Sequence, residues 1–360
     1  MDDGKKDPAM KEDYLWDGSG EPDPDVQKLE SLLGRYRHHQ PRPAFDQLAV
    51  EQARSRRWRF PVFRFSFSFA AVAAALVIGV STFVFLHARK ANQAGPAWEI
   101  ARITGTPRVG WHMLSANSQT AKLKVGQTLV TDNSSRASIT LDETGQIEVD
   151  PQSRLRVVAS RPGQKRLSLE HGTIHATIWA PPGEFVVDTP SAVAVDLGCV
   201  YTLHVDDSGA GLLRTTMGWV GFKLHGHESF IPAGAVCRTR PRIGPGTPYF
   251  EDASASFRDA LTKFDFASVT PEERTALLGT LLDDAKKRDA LTLWHLLSRV
   301  SDAERTSVYD RLSTLAPPPR DVTREGILRL DQKMLDSWWN SLGYGDVSLW
   351  HMYERTWSEH

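Results

Sequence analysis

ASITLDETGQIEVDPQSRLRV, residues 137–157, alternates apolar and polar side chains along most of its length. A two-residue period is typical of β-strands that bury one face, because successive side chains point to opposite sides of a strand. Residues 142–145 and 150–153 interrupt the alternation with turn-forming Asp, Gly, Pro and Ser. The stretch therefore predicts three short strands joined by two tight connections.

The same period extends over residues 97–250. Leu167 and Leu169 lead through His171 and Gly172 into another alternating run, and comparable runs follow up to residue 224. Short strands at such intervals predict a mainly-β domain over residues 97–250. Its topology stays open between an antiparallel sandwich, a β-roll and a β-helix-like stack.

Seven short motifs of this region, in order, resemble the FecR domain. They are GTPRV (105–109), LKVGQTLVT (123–131), SRASITL (135–141), LSLEHG (167–172), FVVDTP (185–190), LGCVY (197–201) and PAG (232–234). The resemblance covers about residues 100–240. It departs from the family pattern at Gln127, where Asp is usual, and at Cys199 and Tyr201, where the family has Thr and Phe.

Residues 65–86, FSFSFAAVAAALVIGVSTFVFL, form an uninterrupted uncharged stretch. As a helix this stretch is long enough to cross the hydrocarbon core of a bilayer, which needs about 20 residues. Five arginines precede it between residues 54 and 64, whereas only His87, Arg89 and Lys90 follow closely. The positive-inside rule therefore predicts a single transmembrane helix with a cytoplasmic N-terminus.

Residues 1–60 are too few for a large core and predict a helical arm. After Asp23 and Pro24, which suit a helix start, one apolar face recurs at helical spacing. It comprises Val26, Leu29, Leu32, Leu33 and Tyr36. Such a face binds a partner, packs against a neighbouring helix or lies on the membrane, and partner binding is the hypothesis that we favour.

A helical period returns over residues 255–360, which predicts an all-α domain of helical hairpins. Thr270 and Ser301 each begin a capping box, and one last helix is predicted from Thr323 through Trp339. The late aromatic residues suit either a binding surface or core packing. They are Trp338, Trp339, Tyr344, Trp350, Tyr353 and Trp357.

Cys199 and Cys237 are the only cysteines. The sequence is equally compatible with a disulfide between them and with two buried free thiols. His225 and His227 would share a strand face, but no third ligand is apparent, so neither a metal nor another cofactor is predicted. No catalytic motif is recognisable, which argues against an enzyme. A net charge of −1 disfavours nucleic acid as a partner.

The predicted fold class is thus a multi-domain membrane protein with a helical arm, one transmembrane helix, a mainly-β domain and a helical domain. The FecR resemblance implies a regulator in a bacterial inner membrane, with most of the chain in the periplasm. It also implies that residues 1–60 hold a cytoplasmic sigma factor, as an anti-sigma factor does, while a periplasmic or outer-membrane protein supplies the signal. The alternative is an anchored binding or scaffolding protein of the envelope that does not signal.

Overall fold

A computed structural model describes residues 95–224 and 226–347, together with Pro24 and Lys28. The predicted transmembrane segment (65–86) and the apolar face of the arm, Val26 to Tyr36, lie outside the described residues. Residues 95–347 belong to one compact unit. Among the residues that are described, no helix is both long and apolar enough to cross a membrane.

Within the described residues the β part contains 18 strands, several of them only two residues long. They are β1 Trp98–Thr104, β2 Arg108–Val109, β3 His112–Met113, β4 Thr120–Leu123, β5 Thr128–Val130, β6 Arg136–Thr140, β7 Gly145–Val149, β8 Arg154–Arg161, β9 Gln164–Ile178, β10 Phe185–Asp188, β11 Val193–Asp196, β12 Val200–Val205, β13 Gly211–Met217, β14 Trp219–Leu224, β15 His227–Pro232, β16 Ala235–Arg240, β17 Gly244–Pro245 and β18 Tyr249–Phe250.

These strands form two sheets that share β9. Sheet 1 has the order β4-β1-β6-β7-β9-β12-β13-β16, and β17 and β18 pair with β16. Sheet 2 has the order β3-β2-β5-β8-β9-β10-β11-β14-β15. Every pairing is antiparallel except that of β9 with β10. The prediction of a mainly-β domain is confirmed, and its architecture is two sheets joined by one long strand.

Strand β9 folds back on itself at Gly172. A straight strand would hold Lys165 and Trp179 roughly 46 Å apart. Instead, the Lys165 Nζ donates a hydrogen bond to the Thr144 side chain, and the Trp179 amide donates to the Thr144 carbonyl at 2.8 Å. Residues up to His171 pair in sheet 2 and residues from Gly172 pair in sheet 1. The two sheets therefore meet at this bend.

Gly172 is required at the bend for two reasons. Its φ of +101° is a conformation that side chains with a Cβ rarely adopt. A Cβ at this position would also lie only 2.4 Å from the Cα of Ser153. The apolar side chains on either side of the bend, Leu167 and Leu169 before it and Ile174 after it, are fully buried in one hydrophobic cluster. The bend thus lets one strand contribute to the core from both sheets.

Six helices follow the strands in the described part of the chain. They are α1 Ala255–Phe266, α2 Pro271–Asp284, α3 Ala290–Leu296, α4 Asp302–Leu315, α5 Arg324–Leu328 and α6 Gln332–Ser341. The capping boxes predicted at Thr270 and Ser301 are present, since each side chain bonds the amide of a glutamate three residues on. Helices after the β domain are confirmed, and strands and helices share the same core cluster.

The prediction of one continuous last helix from Thr323 through Trp339 is wrong. Leu330 has a φ of +57°, which ends α5, and the Asp331 side chain accepts a hydrogen bond from the Met334 amide to begin α6. Trp338 and Trp339 are buried. Of the two roles considered for the late aromatic residues, a binding surface and core packing, these two side chains therefore have the second. Trp350, Tyr353 and Trp357 lie outside the described residues.

Candidate functional site

The best-defined polar arrangement lies where the helices meet sheet 2. Helix α3 is buried along its whole length, and it presents His295 to strand β15. The Nδ1 of His295 donates to the Leu291 carbonyl at 2.9 Å, and its Nε2 accepts from the Phe230 amide at 3.0 Å. Burial, together with the positive charge of Arg299, lowers the pKa of His295 to about 3. The ring is therefore neutral and both of its nitrogens are engaged.

Arg299, just beyond α3, joins the helices to the strands through its guanidinium group. The group donates to the Glu228 carbonyl at 2.6 Å, to Ser229 Oγ at 2.8 Å and to Thr247 Oγ1 at 3.1 Å. Such a fork of donors holds oxygens in a fixed geometry. Arg299 thereby connects β15 to the segment that leads from β17 to β18.

Asp265, near the end of α1, completes this junction. Its carboxylate accepts hydrogen bonds from the Thr247 amide at 2.6 Å and from Thr247 Oγ1 at 2.9 Å. Burial raises the pKa of Asp265, while the Arg299 charge and the Thr247 hydrogen bonds act in the opposite direction. Thr247 therefore links the carboxylate of one helix to the guanidinium that follows another.

Aromatic side chains extend the junction. The ring centroids of Trp294 and Trp339 are 4.8 Å apart, and Trp339 lies 5.6 Å from both Phe230 and Tyr344. The Trp219 indole donates a hydrogen bond to the Tyr344 carbonyl. Strand and helix residues also line a small, mostly apolar cleft at this point. The segment after α6 is thus fastened to β14.

Asp196, at the end of β11, is a buried carboxyl within the β domain. The Gly198 amide donates to its Oδ1 at 2.7 Å, and the Cys199 thiol donates to Oδ2. Burial raises the pKa of Asp196 to about 7 despite these hydrogen bonds. Burial and the adjacent Asp196 charge also raise the pKa of Cys199 well above the ordinary range. The thiol is therefore not activated as a nucleophile, since nucleophilicity requires the thiolate.

Of the two alternatives for the cysteines, the structure shows buried free thiols. Cys237 pairs with Leu213, which pairs with Leu203. Cys199 therefore lies four residues along the sheet and two strands across from Cys237, which is roughly 16 Å from the strand spacings. A disulfide requires Cα atoms within about 7 Å.

The arrangement has the properties of a structural junction rather than of a reaction centre. His295, Asp265 and Arg299 all bond to groups of the protein itself. Within residues 95–224 and 226–347, no group of three or more His, Cys, Asp or Glu side chains could hold a metal ion. His225, one of the two histidines considered in the sequence, lies outside the described residues.

The sequence analysis missed Asp196, Asp265, His295 and Arg299. Two of them had a local signal, because Asp196 follows the apolar run Val193–Val195 and Asp265 lies between Phe264 and Phe266. A carboxylate in such a setting needs partners. The partners could not be read from the pattern, since Arg299 and Glu228 are 71 residues apart.

Two residues that differ from the family pattern make hydrogen bonds that the usual residues could also make. Gln127 Oε1 accepts a hydrogen bond from the Lys124 amide at 2.8 Å, which closes the turn before β5 as a carboxylate could. The Cys199 thiol donates to Asp196, a contact for which a threonine hydroxyl is also suited. The two positions therefore keep a polar role with different atoms.

A model of the family described as "FecR protein" matches residues 127–217. The match lies within the range to which the motifs pointed, and it confirms the resemblance for this segment. No curated protein sequence matches the chain significantly.

Two crystal structures of a proposed anti-sigma factor from Parabacteroides distasonis, at 1.65 and 2.50 Å resolution, are matched over part of the chain. Each is 13% identical in sequence, with a TM-score of 0.31, and the match covers 38% of this chain and 64% of that one. The match thus spans less than two thirds of either protein, and a likeness at this level carries no argument about function.

Proposed function

We propose that the chain is a single-pass membrane regulator of FecR type that controls a cytoplasmic sigma factor and has no enzymatic activity. The observation that carries the proposal is the FecR family match over residues 127–217. The ordered motifs outside that range, such as GTPRV at 105–109 and PAG at 232–234, support it.

In this proposal the N-terminal arm lies in the cytoplasm and the β domain in the periplasm, and the charge asymmetry about residues 65–86 supports that orientation. The β domain and its helices receive a signal, and the span transmits it to the arm. A protein partner from the periplasm or the outer membrane would supply that signal. To act as a switch, the signal must bind two states of the regulator with affinities that differ by a few kcal/mol.

The proposed sigma-binding surface is the apolar face of the arm. Val26, Leu29, Leu32, Leu33 and Tyr36 lie within about 120° of one another on a helix, given 100° per residue. Gln27 and Ser31 fall on the opposite side of the same helix. The sequence therefore offers a matched pair of double substitutions with equal added charge.

The experiment purifies the tagged full-length chain from membranes of its host and identifies bound sigma factors by mass spectrometry. The native chain and the control Gln27→Asp/Ser31→Asp are expected to retain a sigma factor, whereas Leu29→Asp/Leu33→Asp is expected to lose it. Retention by all three would refute the assignment of the face. Absence of any sigma factor from the native chain would favour a scaffolding protein instead.

A further inference from the structure

The chain enters the β domain beside the end of strand β8. Gly95 and Pro96 lie against the last residues of β8, where Ser160 Oγ donates a hydrogen bond to the Pro96 carbonyl at 2.5 Å. Nine residue steps separate Gly95 from Leu86, the end of the predicted span. A fully extended chain of that length reaches at most about 32 Å. In the proposed topology this end of the domain is therefore held close to the bilayer.

The β2–β3 hairpin points to the same end. The Gly110 amide donates to the Thr128 carbonyl at 2.9 Å, and the Gly126 amide donates to the Val157 carbonyl at 2.8 Å. The hairpin tip and the turn before β5 therefore lie beside Arg156 and Val157 in the middle of β8, on the side that leads towards its last residues. Trp111, at the tip, is 99% exposed, whereas tryptophan side chains are highly buried on average.

Three exposed basic residues lie in the neighbouring segments, on the same side of the domain. We name as the linker face five exposed residues, namely Trp111 of the β2–β3 turn, Lys124 of the turn between β4 and β5, and Arg156, Val158 and Arg161 of β8. Arg156 pairs in register with Thr128, whose carbonyl bonds the hairpin. Lys124, Arg156 and Arg161 have no ion pair within the described part of the chain. The three cations are therefore available to an anionic partner.

The sequence excludes acidic residues from the segments that build this face. Residues 100–131 contain four Lys or Arg and no Asp or Glu, and residues 151–169 contain five and none. Lys165, Arg166 and Arg154 of these segments form ion pairs with acids from elsewhere. Asp142 and Glu143 lie at the same end, next to Trp179, so the basic surface is confined to the sheet 2 side.

We propose that the linker face docks on the anionic phospholipid surface of the membrane in which residues 65–86 are embedded. Trp111 would enter the headgroup region, where the indole ring is favoured because it has an apolar body and a polar N–H. Lys124, Arg156 and Arg161 would lie among the lipid phosphates, whose negative charge attracts basic side chains near the surface. The inference rests on the membrane topology of the proposed function.

Docking would fix how the β domain is oriented above the membrane. The far end of the domain, with the Gly172 bend and the turn after β16, would then point away from the lipid. Thr239 of β16 pairs with Gly211, which pairs with Val205, which in turn pairs with Gly172. Ile243, which follows β16 and is 43% exposed, therefore serves as a matched apolar position at the opposite end.

The experiment uses the full-length chain in lipid nanodiscs with an environment-sensitive fluorophore on one introduced cysteine. The label positions are His112→Cys beside the tip, Ile243→Cys at the far end, and Val77→Cys within the predicted span. Cys199 and Cys237 are buried, so they do not compete for the label in the folded protein. Quenching by spin-labelled lipids reports contact with the bilayer.

In nanodiscs that contain phosphatidylglycerol, the label at residue 112 should be quenched and blue-shifted, whereas the label at residue 243 should not. Trp111→Ala should remove the quenching at residue 112, and Ile243→Ala should leave it unchanged. The triple variant Lys124→Gln/Arg156→Gln/Arg161→Gln should also weaken the quenching at residue 112, because it removes the positive charges. Salt near 1 M should weaken the quenching as well, because charges are then screened beyond about 3 Å.

The outcomes separate this inference from the topology on which it rests. Quenching at residue 77 without quenching at residue 112 overturns the docking and leaves the span in place. Absence of quenching at residue 77 overturns the span, and the docking with it. Equal quenching at residues 112 and 243 would also refute it, because the linker face would then have no preference for lipid.

Discussion

Nη2 of Arg299 donates a hydrogen bond to Oγ of Ser229 at 2.8 Å, across the boundary between the helices and sheet 2. The residues are 70 positions apart, and Ser229 is fully buried. Because the same guanidinium also bonds Thr247 and the Glu228 carbonyl, one side chain holds together three segments of the chain. This contact makes Arg299 the most informative position at which to test how the helices are attached.

Arg299→Met should lower the free energy of unfolding by about 3–5 kcal/mol, the usual cost when one charge of a buried polar network is removed. The substitution leaves Ser229 Oγ without its guanidinium donor and removes the positive charge near Asp265. Urea unfolding of the detergent-solubilised chain, followed by tryptophan fluorescence, measures the change. Trp294 and Trp339 lie beside this junction, so their emission reports on it directly.

The matched control for that experiment is Arg154→Met. Arg154 forms an ion pair with Glu170 at 2.6 Å, but both side chains are more than 40% exposed. Exposed pairs of this kind contribute about 0–1 kcal/mol. A similar loss of stability in both variants would show that Arg299 has no special role at the junction.

Gly172→Ala tests the bend of β9. The alanine would require a φ of +101° and would bring its Cβ within 2.4 Å of the Ser153 Cα, so two sheets could no longer meet there without a backbone shift. Gly126→Ala is the matched control, because Gly126 has a φ of +85° and nothing lies within 4 Å of an added Cβ.

Gly126→Ala should lower the free energy of unfolding by about 1–2 kcal/mol, the cost of a left-handed conformation for a residue with a Cβ. Gly172→Ala should lose clearly more, because steric overlap is added to the same backbone strain. Thermal unfolding of the purified chains gives the order of stabilities. Equal losses would mean that Ser153 moves away at little cost and that the bend is more tolerant than its geometry indicates.

The strands could be predicted from sequence because alternation reports burial directly. Leu155, Val157 and Ile174 are all fully buried, as the two-residue period requires. The period is the same in both sheets, however, so it cannot tell that residues 164–171 belong to one sheet and residues 172–178 to the other. Gly172 marked a turn, but only the contacts of Thr144 with both ends of β9 reveal the fold-back.

The helical part was predictable where a local signal existed. Thr270 and Ser301 begin their helices as predicted, since a capping box involves residues only three apart. The break at Leu330 was missed because the apolar period continues through it, while Asp331 supplies a new N-cap. The junction itself could not be predicted, because the hydrogen bonds of Arg299 to Thr247, Ser229 and Glu228 join residues that are 52 to 71 positions apart.

Asp196→Asn should change how stability depends on pH. The folded-state pKa of Asp196 is about 7, above its ordinary value of 3.8, so the folded protein binds this proton more tightly than the unfolded chain does. The associated stability is present below pH 3.8 and is lost as the pH rises towards 7. Such a shift corresponds to about 4 kcal/mol.

The asparagine has no such titration, so its stability relative to the native chain should rise by a similar amount between pH 4 and 8. Asp206→Asn is the control. Hydrogen bonds, chiefly from Ser208, lower the pKa of that exposed carboxyl, so its contribution changes only at lower pH. The measurement is the urea midpoint of unfolding at several pH values. If the midpoints of Asp196→Asn and of the native chain change with pH in the same way, the prediction is contradicted.

His295→Gln should have the opposite pH dependence. The pKa of His295 is lowered to about 3 in the folded protein, so between pH 6.5 and 3 the unfolded chain takes up a proton that the folded chain does not. The native protein therefore loses stability as the pH falls below 6.5, by about 2 kcal/mol at pH 5.

A glutamine amide can replace both ring contacts, since its oxygen can accept from the Phe230 amide and its nitrogen can donate to the Leu291 carbonyl. Relative to the native chain, the variant should gain stability from pH 7.5 to pH 5, measured by urea unfolding. If the difference between the two proteins stays constant over that range, His295 is not held neutral by its burial against β15.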